Sequence, residues 1–351
     1  MATVTVIVGA GMMGTAMCWP LMDNGHTVRL VGTPLDGEII RSIRETGIHP
    51  TLQRAVPPGV QIYTAGELPH ALEDAELLIG GISSFGVDWF AEAALPYVPV
   101  GVPVLSVTKG LVEAPDGRLE TLPDLLTRRL PENLRGSVSL NAIAGPCIAH
   151  ELAARRQTAV VFTGPDAPTL ARLRDLLGTD YYHIWTSTDV VGVEVCAAMK
   201  NAYAMGVGMA VGMMEAAGPD GLANGYNPQA ALFAQSVYEM RALVRLLGGG
   251  EENVTWLPGP GDLYVTVFGG RTVRLGKLLG QGVPFKEARE MLAGVTLESV
   301  AITTRVARAL PKLAGRGLAR LEDFPLLLHL DEILNQGKKV VIPWERFFRA
   351  A

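Results

Sequence analysis

Short aliphatic, β-branched runs alternate with helically spaced segments through the first half of the chain. Thr3–Val8, Thr27–Val31, Ala75–Ile82, Val102–Val107 and Val138–Ala144 have the length and composition of strands. Between them Met12–Asn24, Glu38–Glu45 and Val87–Ala94 carry helical spacing. This alternation predicts an α/β, Rossmann-like, doubly wound domain, with right-handed crossovers and a parallel sheet covered on both faces. Two further strands, Thr158–Thr163 and Tyr181–Trp185, flank a helix at Ala167–Leu177. From Val190 onward the pattern reads as helix or loop, which places a boundary near 187. The expectation is an α/β domain over 1–187 and an all-α domain over 188–351.

The segment Val190–Met214 is apolar nearly all round, as a helix buried within a helical domain or between domains would be. Gly206, Gly208 and Gly212 would each cost about 1 kcal/mol against alanine in an exposed helix. They make sense where another backbone packs closely. Into this helix the sequence places one cation, Lys200, followed by Asn201. A lysine can snorkel to the surface. Held among apolar side chains, its charged form is disfavoured, which makes it a candidate for chemistry.

Composition narrows the classes. The mean hydropathy of +0.25 calls for a check on membrane spans. A span needs about 20 continuous apolar residues, and the longest charge-free stretches are too short or are broken by glycine or proline. The first residues lack the basic region and cleavage site of a secretory signal. Three scattered cysteines, Cys18, Cys147 and Cys196, suit neither a disulfide framework nor a zinc site and point to a reducing, cytoplasmic setting. The net charge of −5, with no basic run, shows no footprint for nucleic acid. The six histidines have no metal-ligand spacing, so no metal is expected.

Gly9-Ala10-Gly11-Met12-Met13-Gly14 follows a predicted strand and opens a predicted helix. That context separates a dinucleotide fingerprint from an ordinary glycine-rich turn. Gly9 permits the tight turn, Gly11 lets a pyrophosphate approach the backbone, and Gly14 lets the helix pack on the strand. The helix N-terminus adds N–H groups and positive potential. At the tip of the second strand an acidic residue would favour NAD by binding the ribose 2′-OH. Here the tip reads Val31-Gly32-Thr33-Pro34, and Asp36 looks like a helix cap. Thr33, with Arg41 or Arg44 approaching, would suit a 2′-phosphate, so NADP is favoured over NAD.

Lys109 lies just past a strand end, at the sheet edge where doubly wound folds bind ligands. Cys147 has no base in a recognised nucleophile signature and reads as structural, although His150 stands at i+3. Asp262, near the start of a helix after Gly259-Pro260-Gly261, would ordinarily be a cap. Gly269-Gly270-Arg271 before another helix forms an anion site for either a substrate phosphate or a cofactor phosphate.

Taken together, Gly9–Ala16, Thr108-Lys109-Gly110, Ala144-Gly145-Pro146 with Ala149 and Glu151, Asp189–Asn201 and Gly261-Asp262 to Arg271 occur in the order of the NAD(P)-dependent glycerol-3-phosphate dehydrogenases, and the chain resembles that family over about 3–337. The resemblance implies two domains with a cleft between them, and hydride exchange between a nicotinamide and dihydroxyacetone phosphate, supplying a phospholipid precursor. It implies Lys200 as the catalytic lysine, with Lys109, Asn201, Asp262 and Thr266 around the reacting carbonyl. Arg271 and Thr272 fall at the substrate phosphate. Gly9, Gly11, Met12, Met13, Gly14, Thr33, Ser83, Lys109, Ala149 and Arg271 fall at the cofactor.

Two positions depart from the family pattern. Thr272 stands where asparagine is usual after the arginine, and Ala293 stands where an acidic or amide residue often precedes a Gly-Val pair. Thr272 keeps open a reductase of a larger ketose phosphate. A nicotinamide sensor without turnover would not need Lys200, Lys109 and Asp262 together. The partner expected is a phosphorylated ketone or polyol, with a homodimer possible and no nucleic acid.

Overall fold

The structure is a computed structural model that describes residues 2–114, 117–218 and 225–349. The chain forms two compact units, one of 1–109 with 122–190 and the other of 110–121 with 191–351. A single division near 187 puts 110–121 in the first unit, whereas this segment packs in the second. It is a hairpin, Leu111–Glu113 against Leu119–Thr121. Arg305 donates to the Leu111 carbonyl at 3.2 Å and Lys312 pairs with Glu113.

In the first unit, β1 (Val4–Val8), β2 (Thr27–Val31), β3 (Gln61–Tyr63), β4 (Leu77–Gly80), β5 (Val104–Ser106), β6 (Leu140–Ala144), β7 (Thr158–Thr163) and β8 (Tyr182–Ser187) form one sheet. Its strand order is β8-β7-β6-β5-β4-β1-β2-β3. The order reverses between β1 and β4, so the loop after β1 opens at a topological switch point. Ile7, Leu30, Leu77, Ile79, Leu105 and Phe162 are buried with the helices that cover the strands.

The sheet is not wholly parallel, because β7 runs antiparallel to β6. The helix between those strands, Ala149–Ala153, has five residues, or about 7.5 Å at 1.5 Å per residue. That is too short to carry the chain back along β6, so it re-enters from the near end. The predicted helix over Met12–Asn24 is two pieces, α1 (Met12–Ala16) and α2 (Cys18–Asp23), and α3 (Gly37–Thr46), α4 (Ala149–Ala153) and α5 (Ala167–Leu177) follow along the chain. Pro20 has no N–H for the Ala16 carbonyl, and the helix breaks at Met17. β3 and a two-residue hairpin, Ile48–His49 with Arg54–Ala55, are too short to leave a periodic signal.

The described residues of the second unit beyond Val190 are helices and turns. The axis is α6 (Val190–Ala216), whose 27 residues include only a few that reach the surface. Around it lie α7 (Tyr226–Leu246), α8 (Asp262–Val267), α9 (Arg271–Gly280), α10 (Glu298–Gly315) and α11 (Pro325–Gln336). Glu239 of α7 is fully buried and accepts from the Leu326 and Leu327 N–H groups at 2.7 and 2.9 Å. It thereby caps α11. Gln235 and the Tyr203 hydroxyl donate to the same carboxylate. Burial nevertheless pushes its pKa up to about 7.

α6 and α9 meet backbone to backbone. A Cβ at Gly276 would stand 2.2 Å from the Met205 carbonyl oxygen, and one at Gly280 would stand 2.1 Å from that of Met209. On the other side, a Cβ at Gly212 would lie 2.0 Å from the Lys277 oxygen. Both numberings advance by four, so the helices run parallel in a fixed register. One turn earlier, that register sets Thr272 beside Asn201 and Arg271 beside Lys200.

Candidate active site

In the second unit, Lys200, Asn201, Thr266, Gly269, Gly270, Arg271, Thr272, Thr296 and Glu298 line a cavity of about 190 Å³. Lys200 reaches it from mid-α6 with its side chain only 15% exposed, and its ammonium donates to a fully buried Asp262 carboxylate. Asp262 is the first residue of α8 and Gly261 holds the cap position. The carboxylate holds the lysine's ammonium. A buried pair of this kind is strongly destabilised when one partner is removed, because the other charge remains uncompensated. Thr266, one turn on, donates to the Asp262 carbonyl at 2.6 Å. Its oxygen remains able to accept.

The lining also includes Gly270, whose φ of +88° is the backbone form glycine tolerates best. α9 then starts at Arg271, and its first intrahelical bond runs from Arg274 N–H to Gly270 C=O. The N–H groups of the preceding turn have no intrahelical acceptor. Arg271 is exposed and Thr272 is 8% exposed. An ammonium, an amide, a guanidinium and a helix N-terminus lining one cavity suit a short molecule carrying a carbonyl and an anion.

The cofactor candidates other than Arg271 belong to the first unit. Gly9 has φ of +112°, and a Cβ there would meet the Gly81 oxygen at 2.4 Å. A Cβ on Gly14 would meet the Gly9 oxygen at 2.1 Å, whereas one on Gly11 would meet nothing within 4 Å. Gly9 and Gly14 are thus locked against β4's end, and Gly11 leaves an open approach above the first turn of α1, which Met12 and Met13 begin. That shape fits a dinucleotide pyrophosphate. Ser83 follows β4, Lys109 follows β5, and Ala149 opens the short helix after β6.

Asp36, expected only as a helix cap, and His49, to which sequence reasoning gave no role, hold this loop. The Ala10 N–H donates to Asp36 Oδ2 at 3.1 Å, and the Ala10 carbonyl accepts from His49 Nε2 at 2.9 Å. His49 is fully buried, which lowers its pKa, and its Nδ1 accepts from the Thr51 and Leu52 N–H groups. Asp36 does stand at the N-cap position of the helix Gly37–Thr46, but its side chain makes no cap bond. It also accepts from Thr33 N–H at 2.8 Å and Thr33 Oγ1 at 2.7 Å. The hydroxyl proton of Thr33 is therefore committed to Asp36 and not to a phosphate. Arg44 is bound to Glu67 and to the Ile62 carbonyl, while Arg41 pairs at the surface with Glu38. His150 does not share a helix with Cys147, since that helix begins at Ala149.

A model of the NAD-dependent glycerol-3-phosphate dehydrogenase N-terminus matches residues 3–169, and a model of the C-terminus of the same enzymes matches residues 189–343. The chain belongs to the NAD-dependent glycerol-3-phosphate dehydrogenase family. It is 36% identical over 286 residues, 82% of each chain, to the NADP(+)-dependent glycerol-3-phosphate dehydrogenase of Archaeoglobus fulgidus. A glycerol-3-phosphate dehydrogenase [NAD(P)+] of Moorella thermoacetica is 31% identical across 95% of this chain and 92% of its own. The crystal structure of glycerol-3-phosphate dehydrogenase from Coxiella burnetii is similar at a TM-score of 0.78 and 27% identity, covering 98% of this chain and 97% of that one. The enzyme is thus an NAD(P)-dependent oxidoreductase. Among its described residues no helix is long and apolar enough to cross a membrane.

Thr296 and Glu298 line the cavity without having been expected there. Glu298 opens α10 and, read alone, is an acidic residue favoured at a helix start. Only the fold brings it to the cavity that Lys200 and Arg271 line.

Proposed function

We propose that dihydroxyacetone phosphate is reduced reversibly to glycerol 3-phosphate in the Lys200 cavity. The observation that carries this is the buried Lys200–Asp262 pair in the wall of a cavity that Arg271 and the start of α9 also line. The nicotinamide supplies the hydride. As negative charge develops on the substrate oxygen, the Lys200 ammonium stabilises it and delivers the proton. Asp262 holds that ammonium in position and balances it. Asn201 donates to the same end of the substrate, and Thr266 accepts from it. Arg271 forks onto the phosphate, and Thr272 contributes its backbone N–H and a short hydroxyl where an amide side chain is usual.

Lys109 keeps the role the resemblance implies, a second positive charge for the developing alkoxide. A cavity of about 190 Å³ falls below the roughly 300–1,000 Å³ of pockets for drug-sized ligands. That favours a three-carbon substrate over a larger ketose phosphate. NADPH is the proposed preferred cofactor, supported by the strand tip, which lacks a carboxylate, and by Arg41. Its pair with Glu38 is 60% and 83% exposed, a contact worth about 0–1 kcal/mol that a 2′-phosphate can displace. A cytoplasmic setting accords with three cysteines, none in a disulfide. A homodimer is proposed with it, to be read by sedimentation.

The test is Lys200→Ala. Turnover of dihydroxyacetone phosphate should fall by about a hundredfold or more, the scale of a lost acid–base group, with cofactor affinity nearly intact. Near-normal turnover would remove Lys200 from the chemistry.

A further inference from the structure

The cavity contains a carboxylate that phosphate binding does not require. Among the described residues lining it, Glu298 is the one acidic group. Asp262 lies behind the wall, fully buried against Lys200. Counting Asp262, the two positive charges at the cavity, Lys200 and Arg271, are matched by two carboxylates, of which Glu298 is the one in the lining. The remaining lining groups, Asn201, Thr266, Thr272 and Thr296, are neutral. Such a cavity can take one phosphate, on Arg271 and the α9 N-terminus. A second anionic group would face Glu298.

We propose that Glu298 determines substrate specificity. Its carboxylate accepts a hydrogen bond from the substrate hydroxyl and repels a carboxylate in that position, so that the site takes a hydroxymethyl ketone phosphate and rejects a 2-keto acid phosphate. This rests on the cavity being the substrate's site, as proposed above. A carboxylate has about four lone-pair sites, so accepting from a substrate hydroxyl is compatible with Glu298's contacts inside the protein. Both effects act together: one attracts the hydroxyl and the other excludes its oxidised counterpart. No covalent step is added to the reaction.

The experiment compares two ketones that differ at one carbon, dihydroxyacetone phosphate and 3-phosphohydroxypyruvate, using full-length enzyme saturated with NADPH. Wild type should strongly favour the first by kcat/KM. Glu298→Gln, of the same shape without the charge, should lower kcat/KM for dihydroxyacetone phosphate and raise it for the keto acid. A hydrogen bond to a charged group corresponds to about ten- to hundredfold in binding, and the ratio of the two kcat/KM values should move by at least the lower figure. Glu298→Asp, which keeps the charge, should retain most of the exclusion. This second variant also covers the case in which the first folds poorly. A purely structural Glu298 would lower both activities equally and leave the ratio unchanged in both variants, which overturns the proposal. Arg271→Ala separates the two readings. If it raises KM for dihydroxyacetone phosphate while Glu298→Gln leaves the ratio unmoved, only the specificity proposal fails. If Arg271→Ala leaves KM unmoved as well, the reading of the cavity fails, and with it this one.

Discussion

Replacing Gly276 by alanine probes the α6–α9 seam and the site together. The new Cβ would lie 2.2 Å from the Met205 carbonyl oxygen, where ordinary contact begins at 3.4 Å. In an interior packed as densely as an organic crystal, the helices must part by roughly 1 Å. Alanine is the better helix former by about 1 kcal/mol, and at an open position that gain would prevail. Here overpacking costs about 1–3 kcal/mol, more when both sides are backbone and cannot rotate away. We expect a net destabilisation of about 1–2 kcal/mol and a Tm lower by roughly 2–4 °C per kcal/mol. The register also places Arg271 beside Lys200, so parting the helices displaces the phosphate end of the cavity. A misplacement of about 1 Å can cost about a hundredfold in rate. The control is Gly315→Ala, a helical glycine with nothing within 4 Å of its added Cβ. Thermal melts and kcat/KM for dihydroxyacetone phosphate read both variants. The control should be neutral or slightly stabilised, with unchanged kinetics. If Gly276→Ala behaved like the control in both assays, neither the close approach nor its link to the site would stand.

Arg271→Ala should raise KM for dihydroxyacetone phosphate about ten- to hundredfold with a smaller change in cofactor Kd, and Arg271→Lys should recover only part, because a point charge cannot reproduce the fork; fluorescence titration showing instead a collapse of NADPH affinity would move Arg271 to the cofactor. Arg41→Ala should raise KM for NADPH and leave that for NADH alone, and equal effects on both would remove Arg41 from the 2′-phosphate. Glu239, raised from 4.5 to about 7 by burial, keeps its proton in the native state where the unfolded chain has lost it. Its contribution to stability is therefore complete below 4.5, declines as pH rises to about 7 and is flat above. Glu239→Gln should be less stable overall, since its amide would face N–H donors, but should lack that decline in denaturant melts taken across the range; a decline of the same slope in the variant would assign it to other groups.

The sequence carried the parts of the fold whose signal is local. β2, β7 and the helix Ala167–Leu177 lie at the predicted residues, and the fingerprint glycines lie at the predicted turn. What it could not carry depended on partners distant along the chain. Nothing in Leu111–Thr121 says that this hairpin will be held by Arg305 and Lys312, nearly two hundred residues later. The direction of β7 was likewise set by a short connecting helix, not by its own residues.

The site divides along the same line. Lys200 was legible because a cation within an apolar helix violates a local rule, and such violations cluster at function. Arg271 was legible because glycines before a helix start carry their own geometry. Asp36 and Glu298 violated nothing: each is an acidic residue at a helix start, a place where carboxylates are common for reasons unrelated to function. The fold assigns them different work. Asp36 turns back across 26 residues to the Ala10 N–H and Thr33, so the carboxylate near the strand tip is turned to the protein. Glu298 is carried to the cavity that Lys200 lines. Residues that break a rule announce themselves, whereas residues that obey one acquire a role only through what the fold sets opposite them.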